Sequence, residues 1–226
     1  MDQEPNKPQP EKKGATQTSF ESILFTDQSP SYESPPDEIT MIPLLTNVTI
    51  DLKRRTVQDS GKTEFLYRFT LEADNKIAVR PSLGDPVRGS HTEVSSLRPQ
   101  SAGRFSHRPL IYLGTAHSHG NTSPPPFSDI SVLLKRDDRF AIVTTENRSY
   151  LFLKTKDTKQ AENSEIWETE QYRHFADRIA KGENKHGETD TERVDRTIWE
   201  QTLLLCQRHK LLVYTSDNSV DYQLFS

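Results

Sequence analysis

The sequence predicts an α+β protein, on three observations. The centre of the chain alternates apolar and polar residues at the two-residue period of strands, and the C-terminal third changes to helical spacing. The first 38 residues hold six prolines, Pro5, Pro8, Pro10, Pro30, Pro35 and Pro36, among Lys, Glu, Gln and Ser. The architecture expected is a strand-rich centre, plus a helical C-terminal extension and a disordered N-terminal tail. The corresponding boundaries are 1–38 for the tail, 39–156 for the sheet-bearing domain and 157–226 for the extension.

The tail follows from composition. Hydrophobic residues make up 32% of the 226, below the roughly 45–50% ordinary for globular domains. The proline-rich segment cannot bury enough apolar surface to offset the entropy of ordering it. Its one apolar patch, "TSFESILF" (18–25), is expected to dock locally or on a partner protein. "ITMIPLLTNVTIDL" (39–52), with its β-branched residues, reads as helix then strand, and "LKRR" (52–55) as a solvated loop. "EFLYRFTL" (64–71) alternates, with Phe65, Tyr67 and Phe69 on one side. The turn "EADN" joins it to "KIAVRP" (76–81), which makes a hairpin. Residues 82–108, rich in Ser, Gly, Arg and Pro, read as a long loop.

"PLIYLGTAHSH" (109–119) carries the strongest strand signal. In "SDISVLLKRDD" (128–138), Ser128 reads as a helix N-cap, and Ile130, Leu133 and Leu134 repeat at helical spacing. "RFAIVTT" and "YLFLKT" flank "ENRS" as a second hairpin. Ile166, Tyr172, Phe175 and Ile179 line a helix over 163–182. Thr189 and Glu192 form a capping box for a helix running to about Lys210, lined by Val194, Ile198 and Leu205. "LLVYTS" and "YQLF" suit short closing strands. Trp167 and Trp199 are expected to pack helices.

Bulk properties narrow the function. A net charge of -4 and a pI near 6.0 argue against nucleic acid as the main partner, which would require a concentrated basic face. The single cysteine, Cys206, forbids an internal disulfide and a Cys-rich zinc module, and its helical context makes it a small buried residue. No run of apolar residues is long enough to span a bilayer, and no signal peptide is visible. The expectation is a soluble protein made in the cytoplasm, with export by a route that needs no signal peptide left open.

The residues that carry chemistry lie in "YLGTAHSHGNTSPPPFSDISVLL" (112–134). Residues two apart on a strand face the same side, about 6.6 Å apart. The imidazoles of His117 and His119 can therefore converge on one ion, while Ser118 points the other way. The helix start at Asp129 can add a carboxylate, returned by the stiff "SPPP", and this donor set suits zinc. Gly114, Thr115 and Ala116 are small and are expected to leave room for substrate. Two histidines on an exposed strand are ordinarily no more than polar side chains, and that reading stays open. His91 and His107 fall in the long loop; His174, His186 and His209 fall on polar helix faces or in a linker.

In these residues the chain resembles the JAMM (MPN+) metallopeptidase family. Its motif is a glutamate on an early strand, then His-Ser/Thr-His, and after several residues Ser-x-x-Asp. The match is Glu64, His117-Ser118-His119 and Asp129, over about residues 60–155. The phrasing is most similar to a bacterial branch appended to polymorphic toxins. The resemblance implies a cytidine-deaminase-like mixed central sheet with helices packed on it, and Zn2+ held by His117, His119 and Asp129. It also implies Glu64 as general base, Ser128 steadying an oxyanion, and hydrolysis of peptide or isopeptide bonds in a protein substrate. Two departures stand out. Pro126 occupies the family's serine position, for which Ser128 or Ser123 would have to substitute. Phe65-Leu66 replace the glycine pair after the glutamate, whose alternatives are Glu72 and Glu93. A catalytically silent binding scaffold and a secreted effector module are the rival expectations. Amidohydrolase-type barrels need roughly 250 residues, more than this chain provides.

Overall fold

The computed structural model describes residues 17–25, 35–72, 76–80, 86–89, 111–120, 122–159, 173–174, 176–177, 180 and 187–225. The strands are β1 (Gln17–Ser19), β2 (Glu38–Thr40), β3 (Phe65–Leu71), β4 (Ile77–Arg80), β5 (Val87–Arg88), β6 (Ile111–Ser118), β7 (Phe140–Thr144), β8 (Ser149–Leu153), β9 (Leu212–Ser216) and β10 (Asp221–Leu224). They form one mixed sheet in the order β1-β2-β10-β9-β8-β7-β6-β3-β4, with β5 pairing β3. The β1–β2 and β6–β7 pairs are parallel, and the others are antiparallel. The helices are α1 (Phe20–Phe25), α2 (Pro43–Gln58), α3 (Phe127–Lys135) and α4 (Asp190–His209).

Strand alternation divides the interior into two cores, one on each face of the sheet. Phe65, Tyr67, Phe69, Ala116, Phe140, Ile142, Leu151 and Tyr214 face α1 and α2, and meet Phe20, Leu45, Val48 and Leu52 there. Ala141, Val143, Phe152 and Val213 face the other way, toward Ile130, Leu133 and Leu134 of α3 and Leu205 and Cys206 of α4. The result is a helix–sheet–helix sandwich. Every residue of β7 and of β8 is buried, so the short apolar runs at 140–144 and 149–153 are the centre of the sheet.

Several expectations change. Residues 17–25, counted with the tail on composition, dock on the body itself. Gln17–Ser19 pair with β2, and Phe20 is fully buried with its ring 5.1 Å from that of Phe140. Over 39–52 the order is strand then helix, the reverse of the reading from β-branched residues. Pro43 opens α2 at its first turn, where a missing N–H costs nothing. Leu45, Val48, Thr49, Leu52 and Thr56 then form one buried stripe. Packing thus overrides the low helix propensity of Val48, Thr49 and Ile50. "LKRR" lies on this helix and not in a loop, and Arg55 Nε sits 2.7 Å from Asp51.

Within 82–108, read as loop throughout, Val87–Arg88 is a short strand against the start of β3. The rest of that stretch, with His91, Glu93 and His107, lies mostly outside the described residues. So does most of the helix expected over 163–182, including Trp167; His186 falls outside them too. Both hairpins form as expected. The capping box of Thr189 and Glu192 is present, and α4 ends on a left-handed Lys210. The C-terminal segment is more than a helical extension, because β9 and β10 complete the sheet between β8 and β2. His209, assigned to a polar face, is buried at 7% exposure. It pairs with residue 159 twice: its Nδ1 lies 2.8 Å from the Lys159 carbonyl, and its own carbonyl accepts the Lys159 N–H. Trp199 packs its ring between Tyr150 and Phe225. Among the described residues, no helix is long and apolar enough to cross a membrane.

Candidate metal centre

The centre forms at the C-terminal end of β6, where that strand lies between parallel β7 and antiparallel β3. Carboxyl ends of strands at such a change of direction are where open sheets present ligand-binding groups. His119 is one residue past the strand, and its N–H donates to Thr144 O at 2.8 Å. That bond keeps the chain extended against β7. His117 and His119 consequently stay on the same face, the one covered by α3. Asp129 reaches them from the first turn of α3. The return between them is held by Thr202 of α4, whose buried hydroxyl donates to Pro125 O at 3.0 Å.

Three ligand-type atoms converge. The two Nε2 atoms lie 3.2 Å apart. Asp129 Oδ2 is 3.4 Å from His117 Nε2 and 3.1 Å from His119 Nε2. A tetrahedral ion with arms of roughly 2.0–2.1 Å requires ligand atoms roughly 3.3–3.4 Å apart, so the triangle has the edges such an ion needs. Asp129 Oδ2 is itself buried and accepts no hydrogen bond, although both imidazole nitrogens are close. A buried acceptor left unsatisfied is costly. The three atoms lie within 4.8 Å of one another, and this group of His117, His119 and Asp129 can hold a metal ion. The three side chains keep 11–18% exposure.

The charges agree with that use. Burial works against ionising Asp129, but His117 and His119 outweigh it and hold the carboxyl well below the usual range. Burial likewise disfavours protonated His119, yet its pKa is raised, by Asp129 and by the more distant Glu64 carboxylate.

Glu64 immediately precedes β3 and is buried at 8% exposure. β3 and β6 pair with Leu66 opposite His117, and continuing that antiparallel register sets Glu64 opposite His119, on the same face. Its carboxylate is not among the ligand atoms within 4.8 Å of one another, which separates it from the ligand set while leaving it electrostatically coupled to His119. Its carbonyl accepts the Gly89 N–H at 2.9 Å, so β5 fixes the backbone there. Glu72, the alternative, is at the far end of β3, paired with Arg80 at 2.9 Å.

Ser128 does not cap α3. The cap position is Pro126, which has no side chain able to accept, and Ser128 is the second helical residue; its carbonyl accepts the Ser131 hydroxyl at 3.0 Å. Gly114 and Ala116 do not make room for substrate either. They alternate with the histidines and so face the α2 side, where Ala116 is fully buried. A Cβ on Gly114 would stand 2.4 Å from Phe140 O, so that glycine permits close strand packing. Two features escaped the sequence reading, the Thr202 prop on the proline return and the contact of Gly61 with Gly120. A Cβ on either of these glycines would lie about 2 Å from the other's carbonyl oxygen. The turn that leads to Glu64 is therefore pressed against the residue following His119.

Compared with known proteins, the chain matches no family model, no curated protein and no solved structure.

Proposed function

We propose that the protein is a zinc-dependent hydrolase of peptide or isopeptide bonds, of the JAMM metallopeptidase type. The observation that carries this reading is the triangle of His117, His119 and Asp129 with Glu64 across the ladder from His119. Two neutral imidazoles and one carboxylate are a donor set for catalytic zinc, leaving a fourth position for water. Bound zinc would supply a Lewis acid that acidifies a water and polarises a scissile carbonyl.

The chain's own residues divide the remaining work. His117 and His119 offer Nε2, and Asp129 offers an oxygen kept ionised by its neighbours. Glu64, buried and outside the ligand set, takes a proton from water and returns it to the leaving amine. Such acid–base assistance is worth about 10²–10⁴-fold. Ser128 remains the candidate to steady the carbonyl oxygen.

Glu64→Gln is the test. The variant should retain zinc at the wild-type ratio and lose peptide or isopeptide hydrolysis by about 10²-fold or more, assayed on a panel of linked ubiquitin-like and peptide substrates. Unchanged turnover would remove Glu64 from the reaction. A silent metal-binding scaffold is the second reading, favoured by Pro126 at the cap of α3, where the resemblance calls for serine. Wild-type protein that holds zinc and cleaves nothing in the panel would select it.

A further inference from the structure

The side chain between the two histidines points into the opposite core. Ser118 is fully buried, and its Oγ accepts the N–H of Phe65 at 3.1 Å. This bond stands at the last rung of the β3–β6 pairing, whose regular partners end at Leu66 and His117. Where the two strands part, a side-chain hydroxyl in place of a carbonyl continues the connection. The residue so fastened is the one after Glu64. The same Glu64–Phe65 peptide is held from its other edge, where the Glu64 carbonyl accepts the Gly89 N–H at 2.9 Å.

We infer that Ser118 is a positioning residue, whose hydroxyl fixes the start of β3 so that Glu64 faces the His117–His119–Asp129 cluster. The inference rests on the reading of Glu64 as the base. The same three-residue segment then serves two purposes by alternation. Its outer members offer imidazoles to the α3 side, and its middle member sets the distance to the neighbouring strand from the α2 side. A buried hydroxyl is suited to this, since it accepts one N–H without adding charge to the core. Threonine retains the acceptor; alanine removes it and leaves the Phe65 N–H unsatisfied.

The experiment compares Ser118→Ala and Ser118→Thr in the full chain, each loaded with zinc. Ser118→Ala should bind zinc within about threefold of wild type, because the ligands lie on β6 and α3. Its kcat should fall at least about tenfold with KM nearly unchanged, and exchange of the Phe65 amide should quicken. Ser118→Thr should restore both. In a Glu64→Gln background, Ser118→Ala should produce no further loss, as expected of residues acting as one unit. An unchanged kcat despite faster Phe65 exchange would overturn the inference. So would loss of zinc in parallel with activity, or an equal fall in the Glu64→Gln background. If wild type hydrolyses nothing, the functional reading fails on its own, and the carboxyl-carbon resonance of Glu64 decides the inference. That resonance should move on zinc addition in wild type and Ser118→Thr but not in Ser118→Ala; any other pattern overturns the placement. Should Ser118→Ala not fold, Ser118→Cys, a weaker acceptor of similar size, takes its place.

Discussion

The two faces of β6 are made from alternate residues of one short segment and do opposite things. On the α2 side, Leu113, Ala116 and Ser118 are fully buried among Phe20, Phe69 and Phe140, and the one polar group there is hydrogen-bonded. On the α3 side, His117 and His119 keep contact with solvent and meet a carboxylate whose oxygen accepts no hydrogen bond. One face packs apolar side chains, and the other gathers ligand-type atoms around a buried carboxylate oxygen that no hydrogen bond meets. Strain and unmet polar groups concentrate at functional sites. The contrast also separates what a substitution should do on each face.

The largest effect is expected on the α3 side. Asp129→Ala or His117→Ala should weaken zinc binding by about a few hundredfold, if a binding energy of order 10 kcal/mol is shared over three ligands. Calorimetric titration would measure this. On the α2 side, Phe140→Ala should cost about 3–5 kcal/mol of stability by denaturant unfolding, with zinc affinity retained in the fraction that stays folded. Acidity should act on metal binding through the α3 side. His119 has a raised pKa, so protons begin to compete with metal above its ordinary pKa, and zinc affinity should fall about tenfold per pH unit below the folded value. In the metal-free protein the sign reverses. Protonated His119 stabilises the fold at pH values below about 6.5, and that contribution is lost as pH rises through the raised pKa. The smallest effect lies far from both faces. Thr189→Ala should cost about 1 kcal/mol through loss of the α4 cap and leave zinc affinity unchanged.

The grouping of His117, His119 and Asp129 was legible in the sequence because it depends on local spacing. H-x-H on a strand places two imidazoles on one face whatever surrounds it, and a proline-stiffened return brings Asp129 within reach. The hairpins at 64–80 and 140–153 were legible for the same reason. What failed depends on distant contacts. Val48-Thr49-Ile50 became helical because Leu45 and Leu52 find a core between α2 and the sheet. Residues 17–25 joined the body because an edge strand and Phe140 were available to receive them. Gly114 and Ala116 were misjudged although the rule was at hand: the alternation that turns Ser118 inward turns them inward too. The hydrogen bond from Thr202 to Pro125, 77 residues apart in sequence, leaves no trace in local pattern.

The central claim is that one metal ion sits among His117, His119 and Asp129. X-ray absorption at the zinc edge, on the zinc-loaded full chain, reads that arrangement most directly. The account predicts two imidazole nitrogens at about 2.0–2.1 Å with oxygen completing four-coordination, and loss of the imidazole signal in the His117→Ala, His119→Ala double variant. A shell built only of oxygen, or a chain that retains no zinc and gains no thermal stability when zinc is added, would contradict it.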